Sequence, residues 1–171
     1  MPTRSASTTW RCGGSPSGSA SGRLLYKHID GLADLQHAIA TLAVTELGDA
    51  VRDALQGRSG ADALGAFARA FRDYVTVHPG RHTATIDADF TGVDDPLWQA
   101  SARFVDSISA VLRGYDIDEA QLNHALRTLR CAFHGFATLQ SSNAFRWTGD
   151  PKESFDWMIS FIDHGLRAVN D

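Results

Sequence analysis

Two cysteines in a chain of 171 residues, Cys12 and Cys131, exclude a disulfide framework, and their separation leaves neither with the neighbouring ligands of a metal knuckle. No stretch approaches the roughly 18 consecutive apolar residues of a membrane-spanning helix. Nor does an apolar core of a secretory signal stand near the N-terminus. A cytoplasmic protein with no membrane partner is expected. Alternation of apolar and polar residues is missing throughout, so no strand is indicated and the chain reads as all-α. Missing too are a Gly-rich phosphate loop, a Gly-x-Ser-x-Gly elbow and a metalloprotease histidine pair. The closest carboxylates outside helix starts, Asp87 and Asp89, fit a solvated loop. No catalytic residue, metal or cofactor is assigned, and an enzyme is not expected.

Seven histidines invite a search for acid–base or metal chemistry. His78 and His82 flank Pro79-Gly80-Arg81, and His124 and His134 stand ten residues apart on one predicted helix, so neither pair has metal-ligand spacing. Cys131 and His134 could meet across a helical turn, but no third or fourth ligand is near. His134 is read as a core, interface or pocket-edge histidine whose ring nitrogens find hydrogen bonds.

The hydrophobic content of 43% in a chain of this length suits one packed domain. The net charge of −4 is unevenly placed: Arg4, Arg11, Arg23 and Lys27 are the only charged residues before Asp30, so this head carries +4 and the body −8. A basic head on an acidic body suits either approach to phosphates or a solvated tail. Residues 1–22 are built from Ser, Thr, Gly and Pro without apolar periodicity, a composition that cannot bury enough surface to offset chain entropy.

From Leu24 onward the pattern is helical. A short helix breaks at Asp30-Gly31, and a long one is predicted from Leu32 to Leu55. Its first half carries the stripe Leu35, Ile39 and Leu42, its second half the rotated stripe Val44, Leu47, Val51 and Leu55. Ser59 and Asp62 resemble a capping box for a helix ended by Pro79-Gly80, and residues 79–95 read as a loop or a short helix. Asp95-Pro96, Asp118 with Gln121, and Asp150-Pro151 open three more helices.

The helix opened by Asp118 carries Leu122, Leu126, Leu129, Phe133, Phe136 and Leu139 on one stripe. The last helix carries Phe155, Ile159, Ile162 and Leu166 on one face, with Trp157, Met158 and Phe161 on neighbouring faces. So broad an apolar surface on a final helix calls for a partner. Gly135 and Gly165 allow close backbone approach, which suits an antiparallel hairpin meeting its copy across a twofold axis. The expected homodimer interface is Gly135, Phe136, Leu139, Phe155, Ile159, Ile162 and Leu166. Aromatics from several helices, Phe67, Phe71, Tyr74, Trp98, Phe104 and Phe133, are chiefly core, and a ligand pocket among them is a second reading.

The stretch Leu25-Tyr26-Lys27-His28-Ile29-Asp30-Gly31-Leu32 resembles the end of the helix-turn-helix domain in TetR-family transcriptional regulators, where a recognition helix runs into a long connecting helix. Further segments resemble, in order, the branch of that family with a WHG-type C-terminal domain. They are Phe71-Arg72-Asp73-Tyr74, His78-Pro79-Gly80-Arg81, Ala110 to Tyr115, Leu129-Arg130 with Phe133-His134-Gly135-Phe136, and Glu153-Ser154-Phe155 followed by Gly165-Leu166.

The resemblance implies an all-helical regulatory domain over 44–171, whose last two helices form a dimer hairpin and whose core binds a small apolar or amphipathic effector. That pocket would involve Phe67, Phe71, Tyr74, Phe104, Phe133 and His134. Residues 23–43 would be a remnant of the DNA-binding domain and the start of the connecting helix, with Tyr26, Lys27 and His28 as DNA-contact candidates. Residues 1–22 stand where the first two helices of that domain and most of the third belong, and they cannot build them. The coding sequence is therefore expected to be truncated or frame-shifted upstream of about Arg23. Two functions follow: an effector-controlled regulator with an incomplete head, or a ligand-binding and dimerising module without specific DNA binding.

Overall fold

The structure is a computed structural model that describes residues 31–169. Tyr26, Lys27 and His28 lie outside the described residues, as does the head at 1–22. Six helices follow one another: α1 (Leu32–Leu55), α2 (Gly60–Val77), α3 (Pro79–Asp87), α4 (Pro96–Arg113), α5 (Glu119–Ser141) and α6 (Pro151–Ala168), with no strand among the described residues. The all-α reading holds. Among the described residues no helix is long and apolar enough to cross a membrane.

The starts follow the local chemistry, with two exceptions. Asp95 and Asp150 precede proline and accept hydrogen bonds from the amides of Leu97 and Lys152, each satisfying a donor that the first turn would otherwise leave unpaired. Ser59 and Asp118 hold the N-cap positions of α2 and α5 without a side-chain cap bond, so the expected boxes do not form. The irregular 79–95 stretch resolves into α3, with Pro79 in its first turn, and a loop.

α2 is the central helix. Leu64, Phe67, Phe71 and Val75 recur three or four residues apart and are all buried, because α1, α4, α5 and α6 pack around it. Where α4 ends the backbones come close: a Cβ on Gly114 would stand 3.1 Å from the Gly60 nitrogen, and Gly60 itself has φ +53, a conformation that disfavours larger residues.

α1 runs across α2, α3 and α4. Its second half buries Leu47 and Val51, as the stripe predicts. Its first half buries Ala40 and Ala43 instead, leaving Leu35 and Leu42 exposed. Small side chains on the inner face let α1 lie close to α4, and the leucines are turned away.

The interface expectation needs correction on α6. Phe155, Ile159, Ile162 and Leu166 all face the protomer's own core, where they join Phe133, Leu129 and the α2 side chains. Phe136 is half-buried against Phe155 at 4.9 Å between ring centroids and also belongs to that packing. An apolar stripe shows which face avoids water, not which molecule covers it. Leu139 is exposed, and so is Gly135, where an added Cβ would meet nothing within 4 Å; the same holds at Gly165. The two glycines therefore mediate no close approach among the described residues.

Candidate functional site

A cavity of about 530 Å³ opens between α1, α2, α4 and α5. Its floor and walls are apolar: Leu47 from α1, Phe67 and Phe71 from α2, Phe104 and Ile108 from α4, and Leu129 and Phe133 from α5. Phe67 holds the walls together, its ring 5.7 Å from Phe104 and 5.9 Å from Phe133. Such a volume and lining fit a small-molecule pocket, for which roughly 300–1,000 Å³ is usual.

The mouth has two unlike lips. One is formed by Phe90, Trp98, Ala102, Val105 and Asp106, with Phe90 and Trp98 edge to face at 5.2 Å and 86°. The other is formed by Asn123, Arg127 and Arg130, residues that share one face of α5 with His134. From Asn123 to His134 that face spans about 16 Å at the α-helical rise.

His134 takes part in the main polar contact of the lining. Its Nδ1 lies 2.9 Å from Nε2 of His82 on α3, and the two rings pack against Phe71. Two neutral imidazoles can share one N–H···N bond, whichever ring supplies the proton. Burial, the neighbouring His82 and the Arg130 charge together push His134 down to about 4, and burial also lowers His82.

Both folded-state values lie below those of the unfolded chain, so the unfolded state binds more protons on the acid side of neutrality. The stability that the neutral pair contributes is full above about pH 6.5 and is lost as pH falls toward about 4. A loss on the order of 2–3 kcal/mol across that window is expected, read as a falling urea midpoint between pH 7 and pH 4.5. His134→Gln should flatten the profile; an unchanged slope in that variant would show that the acid sensitivity arises elsewhere.

Of the six pocket residues expected from sequence, Phe67, Phe71, Phe104, Phe133 and His134 line the cavity. Tyr74 does not. One turn beyond Phe71, it points to α1 and donates a hydrogen bond of 2.9 Å to Glu46, whose same oxygen accepts from Arg81 at 2.6 Å. Burial and the Glu46 carboxylate push the Tyr74 phenol up to about 12. Its role is to tie α2 to α1. Sequence reasoning missed His82, Arg127 and Arg130. Nothing local distinguishes these from surface residues, because the pairing of His82 with His134 spans 52 positions.

A second polar contact joins the cavity wall to the leading helix. Asp95, the buried cap of α4, accepts from the amide and hydroxyl of Thr91 and from Leu97, and pairs with Nε2 of His37 on α1 at 2.9 Å. The Thr91 amide bond, reinforced by Leu97 and His37 and opposed by burial, holds its carboxyl far below the usual carboxylate range. Among the described residues no group of three or more His, Cys, Asp or Glu is arranged to hold a metal ion.

Fold and cavity together define an all-helical domain, a bundle around an apolar chamber with a long helix leading in from the N-terminal side. Residues 64–162 match the family described as tetracyclin repressor-like, C-terminal domain. Over 149 residues the chain is 33% identical to an uncharacterized HTH-type transcriptional regulator of Mycobacterium tuberculosis, covering 86% of this chain and 65% of the relative. It is 30% identical over 149 residues to an uncharacterized HTH-type transcriptional regulator of Bacillus subtilis, covering 85% of this chain and 75% of the relative. The chain belongs to the TetR family of transcriptional regulators. It spans just under two thirds of the length of the mycobacterial relative.

Proposed function

We propose that this chain is the effector-sensing and dimer-forming part of a TetR-family regulator acting in the cytoplasm, with no catalytic reaction of its own. The chamber between α1, α2, α4 and α5 carries this reading, since two of its walls belong to helices joined by the His37–Asp95 pair. An occupant that displaces α4 shifts the cap of that helix and, through His37, α1. The leading helix thereby reports the state of the cavity to whatever DNA-binding segment precedes it. For such coupling the effector must favour one arrangement of α1 and α4 over the other.

Tyr26, Lys27 and His28, which match the end of the family's recognition helix, remain the proposed phosphate contacts. The alternative is a module that dimerises and binds a ligand without specific DNA recognition, favoured by the Ser/Gly/Pro-rich composition of residues 1–22. Gel-shift titration with the DNA flanking its own gene, in moderate salt and against competitor DNA, separates the two. A regulator gives retardation that competitor does not abolish, and Lys27→Ala should weaken it uniformly across sequences. Retardation that vanishes with competitor would leave the module.

A further inference from the structure

We infer that the cavity takes an amphiphile with an apolar body and a single anionic head, the body lying against Phe67, Phe104 and Phe133 and the head held at the mouth by Arg127 and Arg130. This assignment rests on reading the chamber as the effector site and adds the chemistry of what fills it.

The apolar walls demand an apolar body, because any polar group carried past the mouth would lose its water with few partners inside. Those few are Thr85, Ser101 and His134, and His134 already spends one ring nitrogen on His82. Charge is confined to the mouth, where Arg127 and Arg130 stand against one acid, Asp106, on the other lip.

The two arginines differ from most others in the described body. Arg58, Arg81 and Arg167 each carry a carboxylate partner at 3.1 Å or less, whereas among the described residues neither Arg127 nor Arg130 has an acid within ion-pair distance. Two unpaired guanidinium groups one turn apart on a single face form a fork suited to a carboxylate or a phosphate. Arg130 also acts inward, as its charge helps to keep His134 neutral. A cation entering the mouth would meet that same positive field, with Asp106 alone to offset it. Phe90 and Trp98 on the facing lip supply an apolar edge for the part of the body nearest the head.

The test uses the full chain and three probes of equal alkyl length: dodecanoate, dodecanol and dodecyltrimethylammonium, each titrated calorimetrically below its aggregation limit. Dodecanoate is expected to bind about 10-fold more tightly than either other probe, the value of one charge-assisted contact at a solvated site. In the Arg127→Gln/Arg130→Gln double variant that preference should disappear while dodecanol affinity stays within about twofold. Both arginines are exposed, so their removal leaves the packing intact. Ser101→Trp, which puts an indole ring into the chamber, should weaken all three probes.

Equal binding of the probes, tighter binding of the cation, or a preference that survives the double variant overturns the head-group assignment while keeping the chamber as the sensor. No saturable binding, or binding that Ser101→Trp leaves intact, overturns the chamber itself.

Discussion

Phe161→Glu is expected to turn a dimer into monomers in sedimentation experiments while leaving the helical circular dichroism unchanged. Phe161 and Trp157 lie one turn apart on α6 with their rings stacked at 5.4 Å and 13°, and they are 65% and 68% exposed. Two large aromatics stacked side by side in water form a patch that a monomer has little reason to keep. Gly165 lies on the same outward side of α6, while Gly135 and Leu139 offer a comparable strip on α5.

A partner helix laid over these small residues could approach closely, and the open space around both glycines then has a use that the single chain does not give it. A glutamate in the centre of that surface would bury an unpaired charge, costing about 3–5 kcal/mol, or more than 100-fold in the dimer dissociation constant. Gly135→Leu should act in the same direction by holding the two α5 helices apart. Sedimentation of Phe161→Glu as an intact dimer would show that the twofold contact lies on another face.

The same helix shows what a sequence can and cannot disclose. Its start was legible in Asp150-Pro151, and its inner stripe in the spacing of Phe155, Ile159, Ile162 and Leu166, since capping and periodicity are local properties. Which of its two apolar faces meets its own chain is decided by α2 and α5, and no local pattern carries that. Periodicity alone therefore assigns the core stripe to the interface and leaves Trp157 and Phe161 as bulk on the neighbouring faces. Residues of the cavity were legible to the extent that they were large and apolar. Phe67, Phe71, Phe104 and Phe133 declare a buried environment wherever the helices place them. Tyr74 did so too and was misplaced, because its hydroxyl is drawn to Glu46, 28 positions away. The histidine pair and the arginine lip depend on long-range juxtaposition, which single-sequence periodicity does not register.

Phe133→Ala should be the most damaging core truncation, lowering stability by about 3–5 kcal/mol in urea unfolding. Phe133 is 1% exposed, contacts Phe67 at 5.9 Å and Phe155 at 6.2 Å, and so connects α5 to both α2 and α6. The cost of removing a buried ring depends on how far its surroundings collapse into the space. Here collapse is hindered, because the ring lies on the wall of a chamber of about 530 Å³ that the packing already holds open. The lost ring volume adds to a void instead of being repacked, which places the expected cost toward the upper end of the range. The half-buried Leu126, at the same cavity but nearer its mouth, should cost about 1–2 kcal/mol on truncation, since water can take the vacated space. A deficit below about 1 kcal/mol would mean that the α2–α5–α6 contact does not organise the core.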